Sequence, residues 1–157
     1  MPDRLEITRR QVTDADVDLL VGWHADPDTL PYWDYEEHTP RSLREHLAEP
    51  DFIPWLVLED GEPVGYLQHW WKPGSSTAGL DGFLIPSARG RGIMPAAARQ
   101  LALDLLADRF DEVTVDPYIW NERAVRGWAK AGFVEVGRRP ADKDHTADWV
   151  LMRFVRD

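Results

Sequence analysis

Apolar and polar positions along the chain change period several times. Leu5–Arg10 alternates and predicts a short strand. Thr13 or Asp14 can cap the next helix, whose apolar stripe is Val17, Leu20, Val21 and Trp23. It stops before Asp26-Pro27, because the residue ahead of a proline is driven out of helical backbone. Asp28–Thr39 has no period, and Thr39-Pro40 then starts a second helix running to about Glu49, with Thr39 as cap and Pro40 first inside. Trp55–Glu59 and Val64–Trp71 predict two strands joined at Asp60-Gly61, a pair suited to the left-handed backbone of a tight hairpin. After the polar loop Lys72–Ser76, Leu80–Ile85 predicts a strand broken by Gly82, which marks a bulge or a close backbone approach. Pro95–Arg109 places Ala98, Leu101, Leu105 and Leu106 on one helical face. Val113–Asp116 predicts a strand, Asn121–Ala131 a helix closed by Gly132, and Phe133–Arg138 with Asp148–Val155 two final strands. Without repeats, low-complexity runs or linkers, residues 1–157 are expected to form a single α/β domain.

Composition narrows the chemistry. With 43% hydrophobic and 29% charged residues, the chain is neither disordered nor built to span a membrane. The absence of cysteine excludes disulfides, thiolate nucleophiles, iron-sulfur clusters and thiolate zinc sites. Nothing in Met1–Arg10 resembles a secretion signal, so a soluble cytoplasmic protein is expected. The net charge of −10 disfavours nucleic acid and anionic lipid and favours polycations. All of it lies in residues 1–60, with 5 Lys+Arg against 15 Asp+Glu; residues 61–157 hold 13 of each. Such a half is either one acidic binding region or two solvated acidic helices. Eight tryptophans supply flat amphipathic surfaces, and of Trp70-Trp71 the core reading is favoured over the cleft.

Two segments carry the chemistry. Ile85-Pro86-Ser87-Ala88-Arg89-Gly90-Arg91-Gly92-Ile93-Met94-Pro95 follows a strand and opens a helix, where free backbone N–H groups can hold a phosphate. Gly90 and Gly92 let the backbone approach closely, and Arg89 and Arg91 add charge, but neither the P-loop nor the Gly-x-Gly-x-x-Gly pattern is present. Downstream, Asn121 is placed to cap a helix with Ala124, Val125 and Trp128 on one face, closed by Gly132-Phe133. His24, His38, His46, His69 and His145 lack metal-ligand spacing, so no metal is expected, and Ser75 and Ser76 lack a nucleophile-elbow pattern.

In this order the two segments resemble the GNAT superfamily of acetyl-CoA-dependent N-acetyltransferases, on Arg89, Gly92, Asn121, Ala124, Gly132 and Phe133. Within it the chain is most similar to aminoglycoside 6′-N-acetyltransferases, on Gly61–Tyr66 with Gln68, Gly79-Leu80-Asp81, residues 89–95, Asp116-Pro117, 121–133 and Tyr32-Trp33. The resemblance implies a mixed, mostly antiparallel sheet of about seven strands flanked by about four helices. It implies direct acetyl transfer to the 6′-amine of a polycationic small molecule, in a monomer or homodimer. Phe83, Leu84 and Ile85 would offer backbone groups to the pantetheine arm, with Arg89, Gly90, Arg91, Gly92, Ile93, Met94 and Asn121 completing the donor site. Asp81 would help deprotonate the amine and Asp116 would hold another ammonium; for both, the alternative is a solvated or turn-capping carboxylate. Tyr32, Trp33, Asp34, Tyr35, Glu36 and Glu37 would wall the acceptor, or else form a loop pinned by aromatic packing.

Two positions depart from the family pattern. Met94 stands where Gly or Ala is usual, so its side chain must turn away or cover the cofactor. Trp128 replaces the tyrosine that protonates the departing thiolate; an indole N–H can stabilise a thiolate but is too weak an acid to protonate it, leaving water, or Tyr118, as the source. Alternatives are another amine, hydroxylamine or peptide acceptor, and a silent CoA-binding module.

Overall fold

The computed structural model describes residues 6–34 and 36–156; Leu5, where the first predicted strand begins, and Tyr35 lie outside them. Its strands are β1 Ile7–Gln11, β2 Phe52–Glu59, β3 Glu62–Trp70, β4 Thr77–Leu84, β5 Glu112–Val115, β6 Phe133–Arg139 and β7 Trp149–Phe154. They form one sheet ordered β1-β2-β3-β4-β5-β7-β6, antiparallel throughout except for β4 beside β5. The helices are α1 Val17–Ala25, α2 Pro40–Leu47, α3 Ile93–Asp108 and α4 Glu122–Ala131. No helix among the described residues is long and apolar enough to cross a membrane.

Local chemistry explains the boundaries. Asp60 and Gly61 take φ of 48° and 84°, the left-handed pair that a two-residue hairpin requires. Thr39 Oγ1 accepts the Ser42 N–H at 3.1 Å while the Thr39 N–H donates to Ser42 Oγ at 2.9 Å, fixing the start of α2. Asn121 Oδ1 accepts the Ala124 N–H at 3.2 Å, and Gly132 closes α4 at φ 115°. Helix α1 begins with its apolar stripe at Val17, later than a cap at Thr13 or Asp14 suggests, because Asp14–Asp16 form a tighter 3-10 turn. There Asp16 accepts the Thr13 N–H and both ends of Arg10 at 2.8–2.9 Å, which holds its carboxyl below the usual range. Helix α3 starts two residues before Pro95, which sits in the first turn where its missing N–H breaks no bond.

The strand period divides the apolar residues between two faces. Leu56, Tyr66 and Phe83 meet Val17, Leu20 and Leu43 of α1 and α2. Val57, Leu67, Leu80, Leu84, Val113 and Val115 meet Ala98, Leu101 and Trp128 of α3 and α4. Trp71 packs against this second cluster, whereas Trp70 is 38% exposed and covers Gly79, where a Cβ would lie 2.5 Å from the indole. The core reading therefore holds for Trp71 and not for Trp70.

The sheet opens at its centre. β4 pairs with β5 only over Thr77–Gly79 and Glu112–Thr114, after which β4 continues alone on that side. Ile85 N–H donates to Val64 O at 2.9 Å, so by the alternation of an antiparallel ladder the peptide groups of Gly82 and Leu84, beyond the last β5 pairing, face the open fork. Gly82 is a close approach and not a bulge: its pairing with Leu67 is in register, and a Cβ there would lie 2.6 Å from Tyr66 O and 3.1 Å from Met94 Cε.

Candidate active site

A cleft of about 230 Å³ occupies the acidic side of the fork. Asp81 reaches it from β4, Asp116 from the residue after β5, Asp34 and Glu36 from beyond the 3-10 turn Leu30–Trp33, and Asp144 from the β6–β7 loop. Asn121, Ala124 and Trp128 of α4 line it from another side. Burial pushes the Asp81 carboxyl up to about 8, and repulsion from Asp116, Asp34 and Glu36 adds to the effect. The Gly82 N–H, donating to Asp81 Oδ1 at 2.9 Å, works against it. A carboxylate of that basicity is matched to taking a proton from an ammonium near neutral pH.

The segment after α1 combines wall and anchor. Trp33 packs edge-on against Phe83 at 5.1 Å and Tyr66 at 6.1 Å while lining the cleft. Asp34 takes φ 52° and accepts the Tyr118 hydroxyl at 2.8 Å and the Thr146 hydroxyl at 3.3 Å. Glu36 lies 2.8 Å from His38 Nε2. Tyr32 tilts against Trp120 at 5.7 Å, with the guanidiniums of Arg123 and Arg89 at 5.3 and 5.8 Å from its ring. Glu37 is exposed and outside the cleft lining. Aromatic pinning and the acidic wall are thus properties of the same segment.

The loop before α3 is shaped for an anion. Gly90 and Gly92 take φ of 80° and 77°, and among the described residues no acceptor takes the backbone N–H groups of Gly90 through Met94. These groups converge at the N-terminus of a 16-residue helix, where the dipole favours negative charge. The arginines are already engaged. Arg89 donates to Leu84 O, Asp28 O and Thr29 Oγ1 at 3.1–3.4 Å, and burial, with Arg123 nearby, lowers its basicity. Arg91 forms a two-pronged pair with Glu59 at 2.6 and 3.1 Å. Ile93 is buried in the core, and Met94 brings its methyl to within 3.1 Å of where a Cβ at Gly82 would lie. Of Phe83, Leu84 and Ile85, only Leu84 turns its peptide groups to the fork. Ile85 N–H and C=O are held by Val64 and Ala88, and Phe83 faces Tyr66 of β3; Gly82 is the additional fork-facing residue.

Trp128 is 7% exposed and edge-on to Phe133 at 5.6 Å, so it is as much core as site. The Tyr118 hydroxyl is committed to Asp34 and Thr146 on the acidic wall, with its acidity reduced first by burial. Two histidines missed from the sequence, His46 and His145, line the cleft. His145 reaches Asp116 across 29 residues, a contact with no local pattern to announce it.

A family model described as an acetyltransferase (GNAT) domain matches residues 12–140. Aminoglycoside N(6′)-acetyltransferase type 1 of Klebsiella pneumoniae is 28% identical over 151 residues, covering 83% of this chain and 75% of that protein, and its Serratia marcescens counterpart matches equally. Among solved structures, AAC(6′)-Ib in complex with paromomycin and acetyl-CoA superposes with a TM-score of 0.84 at 27% identity, over 96% of this chain and 94% of that one. AAC(6′)-Ib with coenzyme A and kanamycin gives 0.83 at 27% identity, over 96% and 95%.

Proposed function

The chain belongs to the GNAT acetyltransferase family, and from that membership we propose that it transfers the acetyl group of acetyl-CoA to a primary amine of a polycationic acceptor, foremost the 6′-amine of an aminoglycoside. The carrying observation is the convergence of Asp34, Glu36, Asp81, Asp116 and Asp144 on one cleft beside the open edge of β4. Five carboxylates with no Lys or Arg among the lining residues suit a molecule with several ammonium groups. On the donor side, the unpaired N–H groups of Gly90–Met94 receive the pyrophosphate, and the fork-facing peptides of Gly82 and Leu84 receive the pantetheine amides.

Asp81 takes one proton from the acceptor ammonium, directly or through water. Ammonium groups arriving at Asp34, Glu36 and Asp116 favour its ionised form. The neutral amine attacks the thioester carbonyl, the tetrahedral adduct expels CoA thiolate, and the adduct's second N–H proton leaves to solvent. Water protonates the thiolate, since Trp128 lacks the acidity and the Tyr118 hydroxyl is held by Asp34. The balance is one amide, one thiol and one released proton. With no cysteine in the chain, positioning supplies the rate without a covalent enzyme intermediate. The test is thiol release from acetyl-CoA with kanamycin-type acceptors bearing or lacking a 6′-amine. Release only with the 6′-amine is expected; release with neither, despite acetyl-CoA binding, would overturn the assignment.

A further inference from the structure

His145 is bonded on both sides. Its Nε2 lies 2.7 Å from Asp116 Oδ2 and its Nδ1 2.8 Å from Asp142 Oδ1. The ring stacks on Trp149 at 4.1 Å and 10°, its edge meets Tyr118, and the side chain is 14% exposed. A neutral imidazole has one N–H and one lone pair, so one carboxylate would face a lone pair at hydrogen-bond distance. Only the imidazolium satisfies both. Around it stand Asp116 and Tyr118 from the end of β5, Asp142 from its own loop, Trp149 donating to Asp142 at 3.1 Å, and Asp34 reached through the Tyr118 hydroxyl. No other cation is among these contacts. Burial opposes the charge, but the two carboxylates outweigh it and the ring titrates above its ordinary value.

We propose that His145 is a positioning and selectivity residue of the acceptor site: as imidazolium it clamps one oxygen of Asp116 to the β6–β7 loop and leaves the other oxygen for an acceptor ammonium. The proposal rests on the cleft being the acceptor site. The clamp is complete below the ordinary histidine pKa and is lost as pH rises through the raised value. The resident cation also reduces the negative charge of this end of the cleft, so Asp116 favours one positioned ammonium over diffuse attraction.

The test measures kanamycin KM by thiol release between about pH 5.5 and 8.5 in wild type, His145→Gln and His145→Lys, with ¹⁵N side-chain NMR of His145. A doubly protonated ring is expected at the acidic end. There His145→Gln raises kanamycin KM about tenfold, with kcat and acetyl-CoA KM nearly unchanged. The gap to wild type closes as pH passes the NMR midpoint, and His145→Lys, a permanent cation over this range, lacks the step. A ring neutral at the acidic end, or a KM gap independent of pH, overturns the proposal. Should His145→Gln fail to fold, the wild-type KM step must coincide with the NMR midpoint, and its absence sinks the clamp. If wild type does not turn over kanamycin, the acceptor assignment fails, while the NMR titration still decides whether the ring is the cation the clamp needs.

Discussion

Asp116 repels the ionised form of Asp81 across the fork where β4 and β5 part. One carboxylate is therefore a stronger base because the other is charged. Replacing Asp116 by Asn should move the acidic limb of the kcat/KM profile to lower pH, by about half a unit or more, while raising acceptor KM. An unmoved limb would show that Asp116 does not set the basicity of Asp81.

Asp81→Asn should cost about a hundredfold or more in kcat and leave acetyl-CoA KM nearly unchanged. The same variant should be more stable than wild type in alkali. A carboxyl raised to about 8 in the folded protein contributes stability that is complete at acid pH and lost as pH climbs through 8. Thermal denaturation should therefore show a gap favouring Asn that opens as pH rises from about 4, is complete once pH passes about 8, and reaches about a few degrees or more. Equal melting temperatures throughout would place Asp81 in a less buried setting.

Trp128→Phe should reduce kcat by less than about tenfold while costing about 1–2 kcal/mol of stability, because the indole fills core space against Phe133. A kcat loss beyond about a hundredfold, or roughly 2.7 kcal/mol, would reveal a hydrogen bond to the departing thiolate.

Gly92→Ala should weaken coenzyme A binding about tenfold in calorimetry, because φ of 77° is strained for any residue with a Cβ and the loop's N–H groups would turn. Acceptor KM at saturating donor should hold. Unchanged affinity for coenzyme A would move the pyrophosphate away from this loop.

Strands and helices were legible because their signals are local: Asp60-Gly61, the Thr39-Pro40 cap, and Asn121 with Gly132 each act within a few residues. The turn at Gly90 and Gly92 was legible by the same route, whereas Asp81 was singled out only by the family resemblance. Charge was not legible, because a sum over residues ignores partners. Among the described acidic residues of the first 60, only Asp34 and Glu36 line the cleft; Asp14, Asp16 and Glu59 face Arg44, Arg10 and Arg91. Asp81, Asp116 and Asp144 come from the neutral remainder. His145 was illegible for a related reason, since its ordinary-looking loop meets Asp116 only once β5 and β7 are paired.

Arg89 ties the end of β4 to Asp28 and Thr29, just ahead of the turn that presents Trp33 and Asp34. On the proposed function, a donor phosphate drawing on this guanidinium would loosen its bonds to Asp28 and Thr29, and a shift of the Trp33–Asp34 turn would in turn reach the guanidinium. Binding of the two substrates would then be energetically linked, and by reciprocity each would change the other's affinity by the same factor.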